Sequence, residues 1–286
     1  MISAHVLTTI ADWWIEPFTQ RGGILQNALI AGLLVVVATS VIGTWVVLRG
    51  MSFLGDALAH GVLPGVAAAF LIGVNTSLGA FVAAAAMVAL LALIRQHSPL
   101  PEDTSIGVVF VGFLALAVVL LSSSSGDYIG DLDRFLFGSI VSIDQNDLVR
   151  QSAASILIVA AVVVFYRSFL ITTFDPLQAR LVGLSPRFAQ SALMVLLAIA
   201  VVASFEAVGN LLVFAFLVAP PATAALLRKR VPAIMALAVA IGSLSVWVGL
   251  VAANYYGTAP AATIALITVG FYLAAVAYRS LAHMLA

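Results

Sequence analysis

The chain has 286 residues and 29.7 kDa; 63% of its residues are hydrophobic and 8% charged, and its mean hydropathy is +1.19. A soluble domain carries roughly 25% charged residues, so the composition excludes a soluble protein, and apolar runs of about 20 residues exclude a β-barrel, whose strands alternate over about 10. Twelve basic against twelve acidic residues give a formal net charge of +0, which offers no footprint for nucleic acid, and the absence of cysteine excludes disulfides, thiolate metal sites and Cys nucleophiles.

The expected fold is all-α, a polytopic helical membrane protein with about eight to nine transmembrane helices. Residues 1–23 come first as an amphipathic stretch, Trp13, Trp14 and Phe18 beside Asp12 and Glu16. They lack the charged start and cleavage signature of a signal peptide and suit a segment lying at the membrane interface. The rest, 24–286, is one membrane domain. Its apolar segments cover about 24–48, 56–73, 78–94, 106–121, 153–170, 188–204, 207–227, 232–253 and 260–278. The sixth and seventh are nearly continuous at Phe205-Glu206 and are expected to be two helices joined by an outer hairpin. With the amino end outside, Arg49, Arg95, Arg167, Arg180, Arg187, Arg228, Lys229, Arg230 and Arg279 fall on one side. Only Arg21, Arg134 and Arg150 fall on the other. The first side is therefore the cytoplasm, and the carboxyl end is expected there.

Two connections exceed simple turns. The outer one, 122–150, sets Asp127, Asp131, Asp133, Asp144 and Asp147 against Arg134 and Arg150. Its apolar run Phe135-Leu136-Phe137-Gly138-Ser139-Ile140-Val141 suggests a short re-entrant or interfacial helix. The inner one, about 174–186, suggests a two-turn surface helix with Asp175 as N-cap, Pro176 at the first helical position and Gly183 closing it.

The chemistry concentrates in Met51-Ser52-Phe53-Leu54-Gly55-Asp56-Ala57-Leu58-Ala59-His60-Gly61-Val62-Leu63-Pro64-Gly65. Asp56 and His60 lie four apart and share a helix face. A carboxylate and an imidazole there can grip one divalent cation, and an O plus N pair suits Mn, Fe or Zn better than Mg or Ca. His60 lies roughly 16 Å along the helix from Arg49, near the middle of a core about 30 Å thick, where ionisable groups are costly and usually functional. Pro64 has no N–H to offer the His60 carbonyl, which is thereby freed as a further oxygen ligand or a water site. Gly61 and Gly65 permit close helix contact. The competing reading is a structural kink with Asp56 and His60 paired to each other.

Here the sequence resembles the permease subunits of bacterial ABC importers for zinc, manganese and iron, the ABC-3 family. Met51 to Gly65 follows that family's Met-Ser-x-x-Gly-Asp-Ala-x-Ser-His-Ala-Val-Leu-Pro-Gly pattern, with Ala59 and Gly61 as departures. Further similar stretches run in order: Pro101-Glu102-Asp103-Thr104-Ser105-Ile106-Gly107, Asp131-Leu132-Asp133-Arg134-Phe135-Leu136-Phe137-Gly138, Phe174-Asp175-Pro176 through Ala179-Arg180 to Gly183-Leu184, and Ala207-Val208-Gly209 through Pro220-Pro221 to Ala224. The resemblance implies a homodimeric or pseudo-symmetric permease with a pathway between subunits, two separate ATPase subunits below and an extracytoplasmic metal-binding protein above, in the bacterial cytoplasmic (inner) membrane. No cofactor is permanently bound; Mn2+ or Zn2+, with Fe2+ behind, is the transported substrate, and ATP sits on the partner subunit. Asp56 and His60 carry over as metal residues. Phe174, Asp175, Pro176, Ala179, Arg180 and Gly183 carry over as the coupling helix. A single lysine, Lys229 in Arg228-Lys229-Arg230, rules out a P-loop, so the chain is not an enzyme by itself.

Weaker candidates for the pathway or a gate are Glu102, Asp103, Asp131, Asp133 and Glu206. Glu102 and Asp103 also read as helix-dipole compensation with Asp103 as N-cap. Glu206 also reads as an interfacial residue of the outer hairpin, and the outer aspartates as a solvated loop. The functional alternatives are a secondary metal transporter or metal–proton antiporter, and an ABC permease for a metal chelate. An antiporter needs several deep carboxylates, and a chelate permease gains little from a charged pair at the midplane.

Overall fold

The computed structural model describes Trp14, Phe18 and residues 23–97, 102–122, 140 and 143–285. Over these the chain is helical: α1 (Ile24–Leu48), α2 (Ser52–Gly61), α3 (Leu63–Leu71), α4 (Thr76–His97), α5 (Glu102–Ser122), α6 (Gln145–Phe174), α7 (Pro176–Leu181), α8 (Pro186–Val208), α9 (Asn210–Leu227), α10 (Val231–Tyr256) and α11 (Pro260–Leu285). With α2 and α3 taken as one span, nine helical segments among the described residues are long and apolar enough to cross a bilayer.

The helix α1 forms the centre. It is apolar nearly all round, the pattern of a helix surrounded by others, and Ala28, Ala31, Val35, Ala38, Ile42 and Trp45 are fully buried, while Ile24 and Ile30 stay exposed. It packs on α6, α8, α9 and α10. Small residues permit this: a Cβ on Gly32 would run into Val246, one on Gly242 into Val36, and one on Gly43 into the Leu217 carbonyl. These contacts fix directions. Position 32 pairs with 246 and 36 with 242, so α10 runs antiparallel to α1. Trp45 closes one end of this core, its ring set edge-on against Tyr166 and Phe169, both at 5.7 Å.

The tandem Pro220-Pro221 does not interrupt α9, which runs through both. Each proline denies a hydrogen bond to the carbonyl four residues earlier. Leu217 loses its bond to position 221, and it is this carbonyl that Gly43 approaches. The glycine lets the neighbouring backbone close on the uncovered carbonyl.

The exposed faces are apolar as well. On α5, Val108, Val111, Leu116, Val118 and Val119 are exposed, and on α6, Ile156, Val163 and Val164. Hydrocarbon is the only solvent in which such faces are stable.

One end of the bundle gathers the basic residues. Arg49 leaves α1 and donates from Nε to Thr173 Oγ1 at 2.9 Å, from Nη2 to Thr172 Oγ1 at 3.0 Å, and from Nη1 to the Gln190 side-chain oxygen. It thereby joins the ends of α1 and α6 to the start of α8. Leu48 packs beside Ala224 and Ile234, bringing the end of α9 and the start of α10 to the same level, and Arg279 donates to the Leu226 carbonyl at 3.3 Å.

Between Arg49's two threonine partners and Gln190 lies α7. The Asp175 carboxylate caps it by accepting from the Gln178 N–H at 2.9 Å, and Pro176 occupies the first turn. The C-terminus closes as a Schellman motif: Leu184 N–H bonds the Ala179 carbonyl at 2.8 Å, Gly183 N–H bonds Arg180 at 3.1 Å, and Gly183 takes φ 77. The sequence expectation for this helix holds, within the tighter bounds of its six residues.

Elsewhere the sequence expectation needs correction. The outer connection does not extend to Arg150, because α6 begins at Gln145. A capping box starts it: Asp147 N–H donates to Asp144 Oδ1 at 2.8 Å, and Asp144 N–H donates to Asp147 Oδ2 at 3.3 Å. The Asp147 N–H bond foremost holds the Asp144 carboxyl below its ordinary value. Polar residues Gln145 to Arg150 are thus helix, outside the apolar run that marked the segment. The amphipathic segment expected over 1–23 lies outside the described residues, apart from Trp14, whose ring meets Trp247 at 5.3 Å, and Phe18, whose carbonyl accepts from Gln26. The helix expected over 135–141 also lies outside them, except for buried Ile140.

Candidate functional site

Helix α2 presents Asp56 and His60 one turn apart on one face. Asp56 Oδ1 and His60 Nε2 are 3.6 Å apart, and the two side chains are 32% and 29% exposed. Their neighbours Ala57, Leu58 and Ala59 are buried, so the pair opens to one side of an otherwise apolar helix. At 3.6 Å the two groups are too far apart for a direct hydrogen bond. They face the same space without occupying it.

The helix stops at Gly61. Pro64 breaks it as the sequence requires, at Val62, and α3 starts immediately after. Pro64 has no N–H to offer the His60 carbonyl, and only the Val62 N–H, two residues on, turns toward it. Gly61 and Gly65 do serve close contact. A Cβ on Gly61 would meet Met87 Sδ, and Gly65 and Gly79 lie so close that a Cβ on either would run into the other's carbonyl. Since 61 pairs with 87 and 65 with 79, α4 runs antiparallel to the α2–α3 span.

Two residues from other helices complete the surroundings of His60. Phe110 of α5 lies against the ring, centroids 5.8 Å apart at 44°. Asn210, the first residue of α9, has Nδ2 at 2.7 Å from His60 Nδ1. Asn210 is 4% exposed, and its Oδ1 has no hydrogen-bond partner among the described residues. An amide's N and O are interchangeable by a half-turn. With its oxygen toward the ring, Asn210 accepts from Nδ1–H and leaves the Nε2 lone pair facing Asp56, the tautomer a metal ligand needs.

Sequence reasoning missed Asn210. Its signal was a lone amide at the head of an apolar helix, directly after Gly209. The structure explains why it sits there. Gly209 takes φ 80, ψ 164, a region open essentially to glycine alone, so α8 ends at Val208 and α9 begins at 210 with no loop between them. Phe205, Ala207 and Val208 are buried. The reversal expected as an outer hairpin at an interface is therefore buried within the bundle, against His60. Gly209 supplies no side-chain cap to α9.

Glu206 lies in the last turn of α8, four residues before Asn210. Glu102 and Asp103 open α5, with Asp103 exposed; the helix starts one residue before Asp103, which is therefore not its N-cap. They stand about 10–12 Å along the axis from Phe110, so the structure does not bring them to His60. Asp131 and Asp133 lie outside the described residues. His97 is exposed at the end of α4, its Nδ1 2.9 Å from the Leu93 carbonyl. Among the described residues no group of three or more His, Cys, Asp or Glu could hold a metal. Among the described side chains the site is one carboxylate, one imidazole and one amide.

The family model described as the ABC 3 transport family matches residues 22–279. The chain belongs to this family. It is 37% identical over 253 residues to a manganese transport system membrane protein, MntC, of Listeria innocua, covering 88% of the chain and 90% of the relative. It is 32% identical over 270 residues to a probable iron transport system membrane protein of Haemophilus influenzae, covering 94% and 98%. Among solved structures it is similar to PsaBC from Streptococcus pneumoniae in complex with Fab. The TM-score is 0.81 at 32% identity, over 93% of the chain and 95% of that chain. ABC-3 membership and the all-helical multi-pass architecture agree with the resemblance read from Met51 to Gly65.

Proposed function

We propose that the chain is the permease subunit of an ATP-driven importer that carries a divalent transition-metal ion, manganese foremost, into the bacterial cytoplasm past Asp56 and His60. The observation that carries this is an Asp–His pair 3.6 Å apart, about a third exposed, in the wall of an apolar bundle, with Asn210 at the other ring nitrogen. One carboxylate oxygen and one imidazole nitrogen bind such an ion without enclosing it. Manganese is favoured over zinc because relatives at 34–37% identity are named as manganese transporters.

The assembly in this reading is two copies of the chain, two ATPase subunits carrying ATP, and an extracytoplasmic metal-binding protein. The basic end faces the cytoplasm in the inner membrane, and the carboxyl end lies there. The coupling helix α7 receives the ATPase stroke. Its Ala179 is buried against the bundle, while Phe174, Leu177 and Leu181 are exposed for a partner. Arg49 supports a mechanical route, because its guanidinium ties Thr172 and Thr173, just before α7, and Gln190, just after it, to the α1–α2 junction. Gln190 also reaches Met51 Sδ at 3.3 Å, five residues before Asp56. Displacement of α7 then tilts α2 and turns the pair from one side to the other, a rigid-body transition. Glu206, one turn before Asn210, is assigned to the gate on the far side of the pair, and Glu102 with Asp103 to the exit; Asp131 and Asp133 belong to the outer mouth.

The test is uptake of radioactive manganese in cells lacking their own importer, with the chain, its ATPase and its metal-binding protein co-expressed. Asp56→Ala and His60→Ala at matched membrane levels are expected to lower uptake at least tenfold while the complex still assembles and hydrolyses ATP. Normal uptake in both variants overturns the assignment. Equal competition by zinc and manganese overturns the preference for manganese alone.

A further inference from the structure

We infer that the basic end carries a binding site for an anionic phospholipid, with an acyl chain lodged in a groove between α9, α10 and α11 and the headgroup phosphate held by Arg228, Lys229, Arg230 and Arg279. The groove has a volume of about 360 Å3 and is lined chiefly by Leu227, Leu237, Ile241, Leu244, Phe271 and Tyr278. It runs from the ends of α9 and α11 toward the middle of α10, and Val231 to Leu244 spans roughly 20 Å of helix axis. Its lining is apolar apart from two hydroxyls. Thr223 spends its own on the Ala219 carbonyl at 2.7 Å and Tyr278 stands at the mouth, so the length of the groove suits a hydrocarbon chain.

The occupant's charge is set by what surrounds the mouth. Leu227 leads directly into Arg228, Lys229 and Arg230, all exposed, and Tyr278 into exposed Arg279. Arg279 is held at that mouth by its bond to the Leu226 carbonyl at 3.3 Å. No Asp or Glu follows Glu206 in the sequence, so α9, α10 and α11 bring four cationic side chains together and no carboxylate of their own. Basic groups at the rim of an apolar groove, at the level of the membrane surface, match a phosphate above a fatty chain. Positive-inside bias accounts for basic residues at this end, but not for a groove beneath them.

The test uses the intact transporter complex in detergent, analysed by native mass spectrometry with cardiolipin, phosphatidylglycerol or phosphatidylcholine added at equal concentration. The expected result is retention of the two anionic lipids at least tenfold above phosphatidylcholine, with each cation removed costing roughly fivefold. Arg279→Gln lowers retention of the anionic lipids alone. Ile241→Trp fills the groove, leaves every charge in place and abolishes retention. Equal retention of the neutral lipid, or retention unchanged by Ile241→Trp, overturns the site. Cross-linking of Ile241→Cys between two copies of the chain also overturns it, since a second copy then covers the groove.

Discussion

Asn210→Ala isolates the residue that the site cannot spare on geometric grounds although it bears no charge. The substitution removes the 2.7 Å contact to His60 Nδ1 and leaves that nitrogen facing a pocket where Asn210 itself is 4% exposed. A buried polar atom stripped of its partner costs about 1–3 kcal/mol. Loss of the group that orients a metal-binding imidazole lowers metal affinity roughly 10–100-fold. His60 is 29% exposed, so water reaches part of the ring and holds the effect near the lower figure, about tenfold. The assay is manganese uptake by the reconstituted complex as a function of metal concentration. KM is expected to rise about tenfold while basal ATP hydrolysis stays unchanged. Asn210→Asp is expected to move KM the other way and lower the maximal rate, because a second carboxylate beside the ring holds the ion longer. If Asn210→Ala keeps the wild-type KM while His60→Ala loses uptake, the amide has no part in setting the tautomer.

Four further outcomes follow from the packing. Gly65→Ala forces a methyl group into the Gly79 carbonyl and is expected to destabilise the protein by about 1–3 kcal/mol, read as a lower melting temperature in detergent. Gly209→Ala meets strain of about 1–3 kcal/mol at φ 80 and ψ 164 and is expected to reduce both melting temperature and uptake. Asp175→Ala removes the cap of α7, worth about 0.5–2 kcal/mol, and is expected to raise ATP hydrolysed per ion transported while lowering the melting temperature by only a few degrees. The Asp144 carboxyl has a depressed folded-state pKa, so its cap is present above the ordinary value of 3.8 and lost as pH falls through the folded value. Hydrogen exchange at residues 145–148 is therefore expected to be flat from pH 7 to 5 once intrinsic rates are corrected, with protection lost only below about pH 4.

Much of this was legible from one chain. Spans longer than a bilayer core announce themselves by composition, and the Asp175-Pro176 start with its Gly183 stop is a local code that tertiary packing leaves alone. Asp56 and His60 could be paired from spacing because both belong to one helix. Asn210 could not, since it lies 150 residues from His60 and only the close passage of α9 and α2 joins them. The depth of the 205–210 reversal was hidden for a related reason: a turn with no loop residues gives no polar run to mark it. The start of α6 was misplaced because hydropathy marks where a helix enters lipid, whereas Asp144 and Asp147 mark where it begins.

The bare amino terminus of α9 has a kinetic meaning. Gly209 offers no side chain to its first N–H groups, and Asn210 brings that end against His60. A helix start carries roughly half a positive charge, which disfavours a nearby cation by about 0.3–1 kcal/mol. For a storage site this is a flaw. A carrier gains by it, since about two- to fivefold weaker holding is about two- to fivefold shorter dwell time when entry is unchanged. In the proposed pathway, the electrostatic push of α9 at the imidazole makes Asp56 and His60 a stopping place and keeps them from becoming a trap.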